Sequence, residues 1–223
     1  MKQLYGKRLF IYCAGGLGRD FAKLARVIQE RQPRWDEIVF LDDHAPQREV
    51  NGVPVWSFEE WKQARRDGDA AVVASGEPRI RRALAEKLLS CGGKMETLLH
   101  PDFYCSAFNA IGAGSVITEG NVFADNITVG NGVVVNLRCI VGHNAQLGDF
   151  STLSPGCIVS GDVTIGAGTY IGTGAVIRDE VKIGKNCIIG MGSLVTGDIP
   201  DNVVAYGSPC RVVRENTDGI VFR

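Results

Sequence analysis

The chain has 223 residues, 45% hydrophobic and 22% charged, with 28 glycines and a formal charge of −1. That length accommodates two compact domains, and the charge divides into 17 basic and 14 acidic residues before Leu99 and 7 and 11 from there on. No basic run or aromatic platform suits a nucleic acid, no apolar stretch is long enough to insert in a membrane, and Lys2, Lys7 and Arg8 lead into an apolar run too short for a secretory signal.

The seven cysteines (Cys13, Cys91, Cys105, Cys139, Cys157, Cys187 and Cys210) form no C-x-x-C pair, and an odd number cannot complete a disulfide framework. They read as reduced packing residues of a cytoplasmic protein. His44, His100 and His143 are the only histidines, so no metal site is expected.

In chain order, R-L-F-I-Y-C (Arg8 to Cys13) reads as a buried strand, Leu17 to Gln32 as an amphipathic helix and Glu37 to Leu41 as a second strand. A short V-P-V strand follows, then a helix opened by Ser57 with Glu60 three residues on, the spacing of a capping box. Ala70 to Ala74 reads as a strand, Pro78 to Ser90 as a helix and Met95 to Leu99 as a last strand. This alternation predicts a small parallel sheet that takes ligands outside the carboxyl ends of its strands. The turn Ala14-Gly15-Gly16-Leu17-Gly18 lies there and runs into a helix whose first amides favour a phosphate. Asp42 and Asp43 follow the second strand, where carboxylates can hold sugar hydroxyls or a base. A full G-x-G-x-x-G fingerprint is missing, because Cys13 stands in the place of its first glycine. A tight strand-to-helix connection beside a polar loop accounts for the same residues.

From Ile111 to Val195 an apolar residue recurs every six positions without a break. Neither a helix nor an ordinary strand has that period. Hexads such as I-G-A-G-S-V and I-G-A-G-T-Y read as turns of a parallel β-helix, each coil burying its apolar edge against its neighbours. The fourth hexad position is Gly, Asn or Asp except at Arg138, Phe150 and Glu180, which predicts a corner at positive φ. The fifth is mostly small or β-branched, as expected where side chains crowd a narrow interior. Three hexads close one coil, so residues eighteen apart stack in columns, with a spacing of ~4.8 Å. His143, third in V-G-H-N-A-Q, then points outward, with Gly161 one coil above and Asp125 one below. An ordinary exposed histidine satisfies that spacing too. His100, before a proline, reads as a junction residue, and the terminal G-S-P-C-R-V-V as a segment folding back over the last coils.

The order of the pieces is more specific. Y-C-A-G-G-L-G, F-L-D-D and S-G-E-P-R-I-R, then L-L-H-P, hexads and D-I-P-D-N-V-V-A-Y-G-S-P-C-R-V-V together resemble the bacterial sugar O- and N-acetyltransferases of the hexapeptide-repeat superfamily. These include the sialic acid O-acetyltransferase and the UDP-4-amino-sugar N-acetyltransferase of bacillosamine synthesis. The resemblance covers essentially the whole chain. It implies an α/β Rossmann-like domain at residues 1–98, binding a nucleotide sugar, followed at 99–223 by a left-handed parallel β-helix with a capping tail. The handedness rests on the resemblance, since parallel crossovers are usually right-handed.

By the same resemblance His143 is the general base, Asn144 lies beside it, and Gly161 supplies an amide to the oxyanion. Acetyl-CoA, the co-substrate, is expected at Thr152, Gly161, Thr173 and Met191. The nucleotide-linked amino sugar is expected at Gly15, Gly16, Leu17, Asp42, Asp43, Ser75 and Asn136. Thr173 falls on a different part of the prism from His143, so a complete site needs a neighbouring subunit, and the superfamily's homotrimer is expected. Relatives often carry Asp or Glu directly after the histidine, where this chain has Asn144, and Asp125 is the candidate substitute. Leu17 stands where the family's turn usually carries histidine. The leading reading is N-acetylation of a nucleotide-linked 4-amino-4,6-dideoxy sugar. O-acetylation of sialic acid or another sugar is the enzymatic alternative, and an inactive sugar-nucleotide-binding protein is the third.

Overall fold

A computed structural model describes residues 7–222. The chain opens with β1 (Arg8–Tyr12), α1 (Gly16–Arg31), β2 (Glu37–Leu41), β3 (Glu49–Val50), β4 (Val53–Trp56), α2 (Phe58–Ala64), β5 (Ala70–Val73) and α3 (Pro78–Ser90). The sheet runs β3-β4-β2-β1-β5, parallel apart from the β3–β4 hairpin, whose first strand the sequence pattern did not disclose. Alternation along β1 decides the layering. Leu9 and Ile11 enter the cluster with Phe21, Leu24 and Ile28 of α1, while Phe10 and Tyr12 face Phe58 and Trp61 of α2 and Leu88 of α3. The capping box forms as expected: the Ser57 hydroxyl accepts from the Glu60 amide at 3.2 Å, and the Glu60 carboxylate accepts from the Ser57 amide at 2.7 Å.

The expected last strand, Met95 to Leu99, is not one element. Met95 bridges to Ala71 in the first sheet, whereas β6 (Leu98–Leu99) pairs with Val116–Ile117 in the β-helix. The backbone leaves one sheet and joins the other within a few residues.

The β-helix is a triangular prism of two-residue strands. Its first face stacks Ala110–Ile111, Thr128–Val129, Gln146–Leu147, Thr164–Ile165 and Lys182–Ile183. The second begins at β6 and continues through Val116–Ile117, Val134–Val135, Thr152–Leu153, Tyr170–Ile171 and Ile188–Ile189. The third stacks Val122–Phe123, Ile140–Val141, Ile158–Val159, Val176–Ile177 and Leu194–Val195. Each register is eighteen residues, as in Ile140 against Ile158. The second member of each pair points inward and builds one continuous core.

The corner rule holds beyond its composition. Arg138, Phe150 and Glu180, the apparent exceptions, also adopt left-handed φ, at 57°, 57° and 64°. Asp198, counted with the corner residues, does not; its carboxylate instead accepts from the Lys182 amide at 2.8 Å. The terminal segment folds back as an antiparallel hairpin, Val203–Gly207 with Cys210–Glu215, extending the second face. That face is also where the N-terminal domain sits, since Leu98, Val116 and Val134 share a core with α1.

Candidate functional site

His143 lies on the edge between the third and first faces, just after strand Ile140–Val141, and its side chain is 62% exposed. Stacking makes room for it. A Cβ at Gly161 would lie 2.6 Å from the imidazole Cε1 and 2.7 Å from Nε2, so only glycine fits one coil above. Asn144 donates from Nδ2 to Asp162 Oδ1 at 2.9 Å and also lies 3.2 Å from His143 Nδ1. Asp162 Oδ2 is 3.4 Å from that same nitrogen. The tautomer protonated on Nδ1, beside the Asp162 carboxylate, is the one that leaves a lone pair on Nε2.

Asp162 is the residue that sequence reasoning missed. The column through His143 pointed to Asp125, but Asp125 meets the site only through its backbone, its carbonyl accepting from the Asn144 amide at 3.1 Å. The acid comes from the neighbouring corner column, eighteen residues beyond Asn144. The stacking rule contained that signal, provided it was applied to Asn144 as well.

A second correction concerns Gly161. Its amide, expected to be open toward an oxyanion, donates to Asp179 Oδ1 at 3.0 Å, and the residue is buried. A third concerns Thr152, expected to contact CoA. It is 2% exposed, and its hydroxyl accepts from Arg81 Nη2 at 2.8 Å beneath the N-terminal domain. Thr173 and Met191 stack on the edge between the second and third faces, both exposed, Met191 by 80%. Asn136 lies on that same edge and faces α1 across a cavity of about 150 Å³ shared with Asp20, Lys23 and His100. Within one chain, His143 is therefore a full face away from these three residues.

At the carboxyl edge of the first sheet, Gly15 and Gly16 are exposed, with no atom within 4 Å of a Cβ built on either. Gly18 makes the close approach instead: a Cβ there would overlap the Cys13 carbonyl. Leu17 is half-buried and turns partly into the core. Cys13 itself holds a φ of 84°. Burial first, and then the Asp42 charge, push its thiol up to about 11, so it stays protonated at neutral pH.

Asp42 braces the two turns together, accepting from the Ala14 amide at 2.9 Å and the His44 amide at 2.9 Å. Asp43 accepts from the Phe58 amide at 2.7 Å and lies 3.7 Å from Lys87 Nζ. Lys87 was not foreseen. It also donates to the Tyr12 hydroxyl at 3.1 Å, placing a cation at the carboxyl edge of the sheet. Ser75 is half-buried after β5, and its carbonyl accepts from Arg81 Nη1 at 2.8 Å. Among the described residues no cluster of His, Cys, Asp and Glu could hold a metal, and no helix is long and apolar enough to cross a membrane.

A left-handed β-helix carrying a carboxylate-braced histidine on its edge, with an α/β domain against one face, is the architecture of hexapeptide-repeat transferases. Residues 8–88 match the family described as the PglD N-terminal domain, and residues 162–197 match the bacterial transferase hexapeptide family. The acetyltransferase domain of PglB from Neisseria gonorrhoeae, solved with acetyl coenzyme A, is 35% identical with a TM-score of 0.86, covering 92% of this chain and 98% of that one. WeeI from Acinetobacter baumannii is 27% identical with a TM-score of 0.82, covering 93% and 100%. PerB from Caulobacter crescentus, solved with CoA and GDP-perosamine, is 26% identical with a TM-score of 0.81, covering 92% and 96%. No curated protein matches the chain in sequence. The chain belongs to the hexapeptide-repeat acetyltransferases that carry a PglD-type N-terminal domain.

Proposed function

We propose that this protein transfers acetyl from acetyl-CoA to the amine of a nucleotide-linked 4-amino-4,6-dideoxy sugar, with His143 as general base. The observation that carries the reading is the His143–Asn144–Asp162 cluster, which fixes the imidazole so that Nε2 faces outward over Gly161. The sugar amine attacks the thioester carbonyl once it has lost its extra proton to solvent. As the new C–N bond forms, Nε2 takes the second proton; the tetrahedral adduct then expels the CoA thiolate, which recovers that proton from the imidazole. For Gly161 to serve as the oxyanion donor, its amide must exchange Asp179 Oδ1 for the acyl oxygen.

Thr173 and Met191 hold the CoA arm, and the turn at Gly15 and Gly16, with Asp42, Asp43 and Ser75, receives the nucleotide sugar. Because His143 and the Thr173–Met191 column lie on different edges, the site is completed between two prisms of a homotrimer. An outward apolar column on the third face supports that assembly: Val122, Ile140, Ile158 and Leu194 are 61%, 48%, 38% and 39% exposed. Seven unpaired cysteines and acetyl-CoA as donor fit the cytoplasm.

Incubation with acetyl-CoA and a panel of UDP-, GDP- and dTDP-linked 4-amino sugars tests the reading through thiol release and the mass of the product. His143→Ala is expected to lower the rate ~10²–10⁴-fold, the usual contribution of a general base. CoA release by that variant at the parent rate would sink the assignment.

A further inference from the structure

We propose that the C-terminal tail, residues 218–222, is part of the acceptor-binding apparatus: it seats the Ser75–Glu77 loop and so sets the affinity for the nucleotide-linked sugar. The proposal rests on the acceptor reading above, and the sheet order shows where that loop stands. β1 lies between β2 and β5, with α1 on one side of the sheet and α3 on the other. The crevice at this switch point opens between the Gly15–Gly16 turn and the Ser75–Gly76 loop. One wall of the nucleotide crevice is therefore the start of S-G-E-P-R-I-R.

That wall is held from outside its own domain. Arg81, 1% exposed, has no carboxylate partner among its hydrogen bonds. Burial pushes its pKa down to about 9, so it is still a cation at neutral pH. Its guanidinium donates to the Ser75 carbonyl at 2.8 Å and reaches into the prism, to the carbonyls of Gly132 (2.9 Å), Phe150 (2.8 Å) and Ser151 (3.0 Å) and to Thr152 Oγ1 (2.8 Å). This joins the loop to the edge between the first and second faces.

Glu77 holds the tail. It occupies the N-cap position of α3 but makes no capping bond there. Its carboxylate instead accepts from the Val221 amide at 2.9 Å and the Phe222 amide at 2.7 Å. The Phe222 ring packs edge-on against Tyr170, with centroids 5.6 Å apart. A Cβ on Gly76 would lie 2.9 Å from Phe222 Cε2, so the glycine in the loop leaves space for the ring. Arg79 adds a bond to the Asp218 carbonyl at 2.9 Å.

Between the tail and the prism lies a cavity of about 250 Å³ whose walls include Arg79, Arg82, Asn186 and Asn202. Glu77 and the seat of Phe222 both border the loop that carries Ser75.

Calorimetric titration with UDP, GDP and dTDP, and separately with acetyl-CoA, tests this on the parent, Glu77→Gln and Phe222→Ala. Phe222 is 59% exposed, so its truncation leaves the core intact. Each variant is expected to bind the preferred nucleoside diphosphate about tenfold more weakly, the scale of one charge-assisted hydrogen bond for Glu77→Gln and of one aromatic contact for Phe222→Ala, with acetyl-CoA affinity unchanged. Phe222→Tyr, which keeps the ring, should restore parental affinity. Unchanged nucleotide affinity in both variants, or an equal loss of acetyl-CoA affinity, overturns the proposal and leaves the tail a structural cap. A parent that binds none of the three nucleotides overturns the acceptor reading itself, and this inference with it.

Discussion

Asn144 directly follows the histidine, and the carboxylate beside the pair, Asp162, sits one coil higher. Both oxygens of Asp162 serve the pair, one taking the Asn144 amide at 2.9 Å and the other lying 3.4 Å from His143 Nδ1. Asp162→Asn should lower kcat/KM about 10–100-fold, the range for losing a hydrogen bond to a charged partner, without changing KM for acetyl-CoA. The exchange variant Asn144→Asp with Asp162→Asn should recover most of the rate, because the carboxylate returns to the same cluster from the adjacent corner. Recovery by neither the exchange nor Asn144→Asp alone would show that the acid does not orient the imidazole. The third reading, an inactive protein that has lost both its acidic partner and its turn histidine, loses the first of those two grounds here. His143 was legible through the resemblance of the whole chain to a family, since its outward position alone fits any exposed histidine. Asp162 was not, because a corner aspartate satisfies the repeat and so carries no signal of a second role. Arg81 was hidden for the opposite reason: nothing in a helical pattern marks one arginine as buried among carbonyls.

Among the elements, the hexad and its corner were read almost completely from the sequence, since an unbroken period of six leaves little choice of architecture. Face assignment was the weak point. Periodicity treats the three faces alike, and only the apolar residues shared by Leu98, Val116, Val134 and α1 decide which one the first domain covers. Thr152, expected at the cofactor from the resemblance, lies on that covered face under Arg81. The corners offer a direct test of the conformational argument. Arg138 holds a φ of 57° in a column whose neighbours Gly120, Gly156, Gly174 and Gly192 are all glycines at positive φ. A left-handed L-residue with a long side chain costs about 1–2 kcal/mol, and asparagine costs less. Arg138→Asn should therefore stabilise the protein by about 0.5–1 kcal/mol in urea unfolding. A decrease would mean that the arginine side chain contributes more than its backbone strain removes.

For the whole molecule, the separation of His143 from the Thr173–Met191 column has a measurable consequence. If the third faces meet around a threefold axis, a charge placed in the apolar column must be buried without a partner. Ile140→Glu should then convert the trimer to monomers in sedimentation and reduce turnover more than 100-fold, because an unpaired buried charge costs several kcal/mol. Full activity in a monomeric variant would show that one prism contains the whole site.

The eighteen-residue register along each face also limits how this chain can change in length. Removing one hexad upstream of His143 turns every later residue by a third of a revolution, which carries the histidine to another edge and turns the Arg81 contacts away from α3. Removing three hexads keeps every residue on its own edge and lowers the downstream prism by one step of ~4.8 Å, so His143 shifts along the axis relative to the N-terminal domain without rotating. Length variation in such a chain acts as a discrete gear: whole coils adjust the reach between donor and acceptor, and anything less uncouples them.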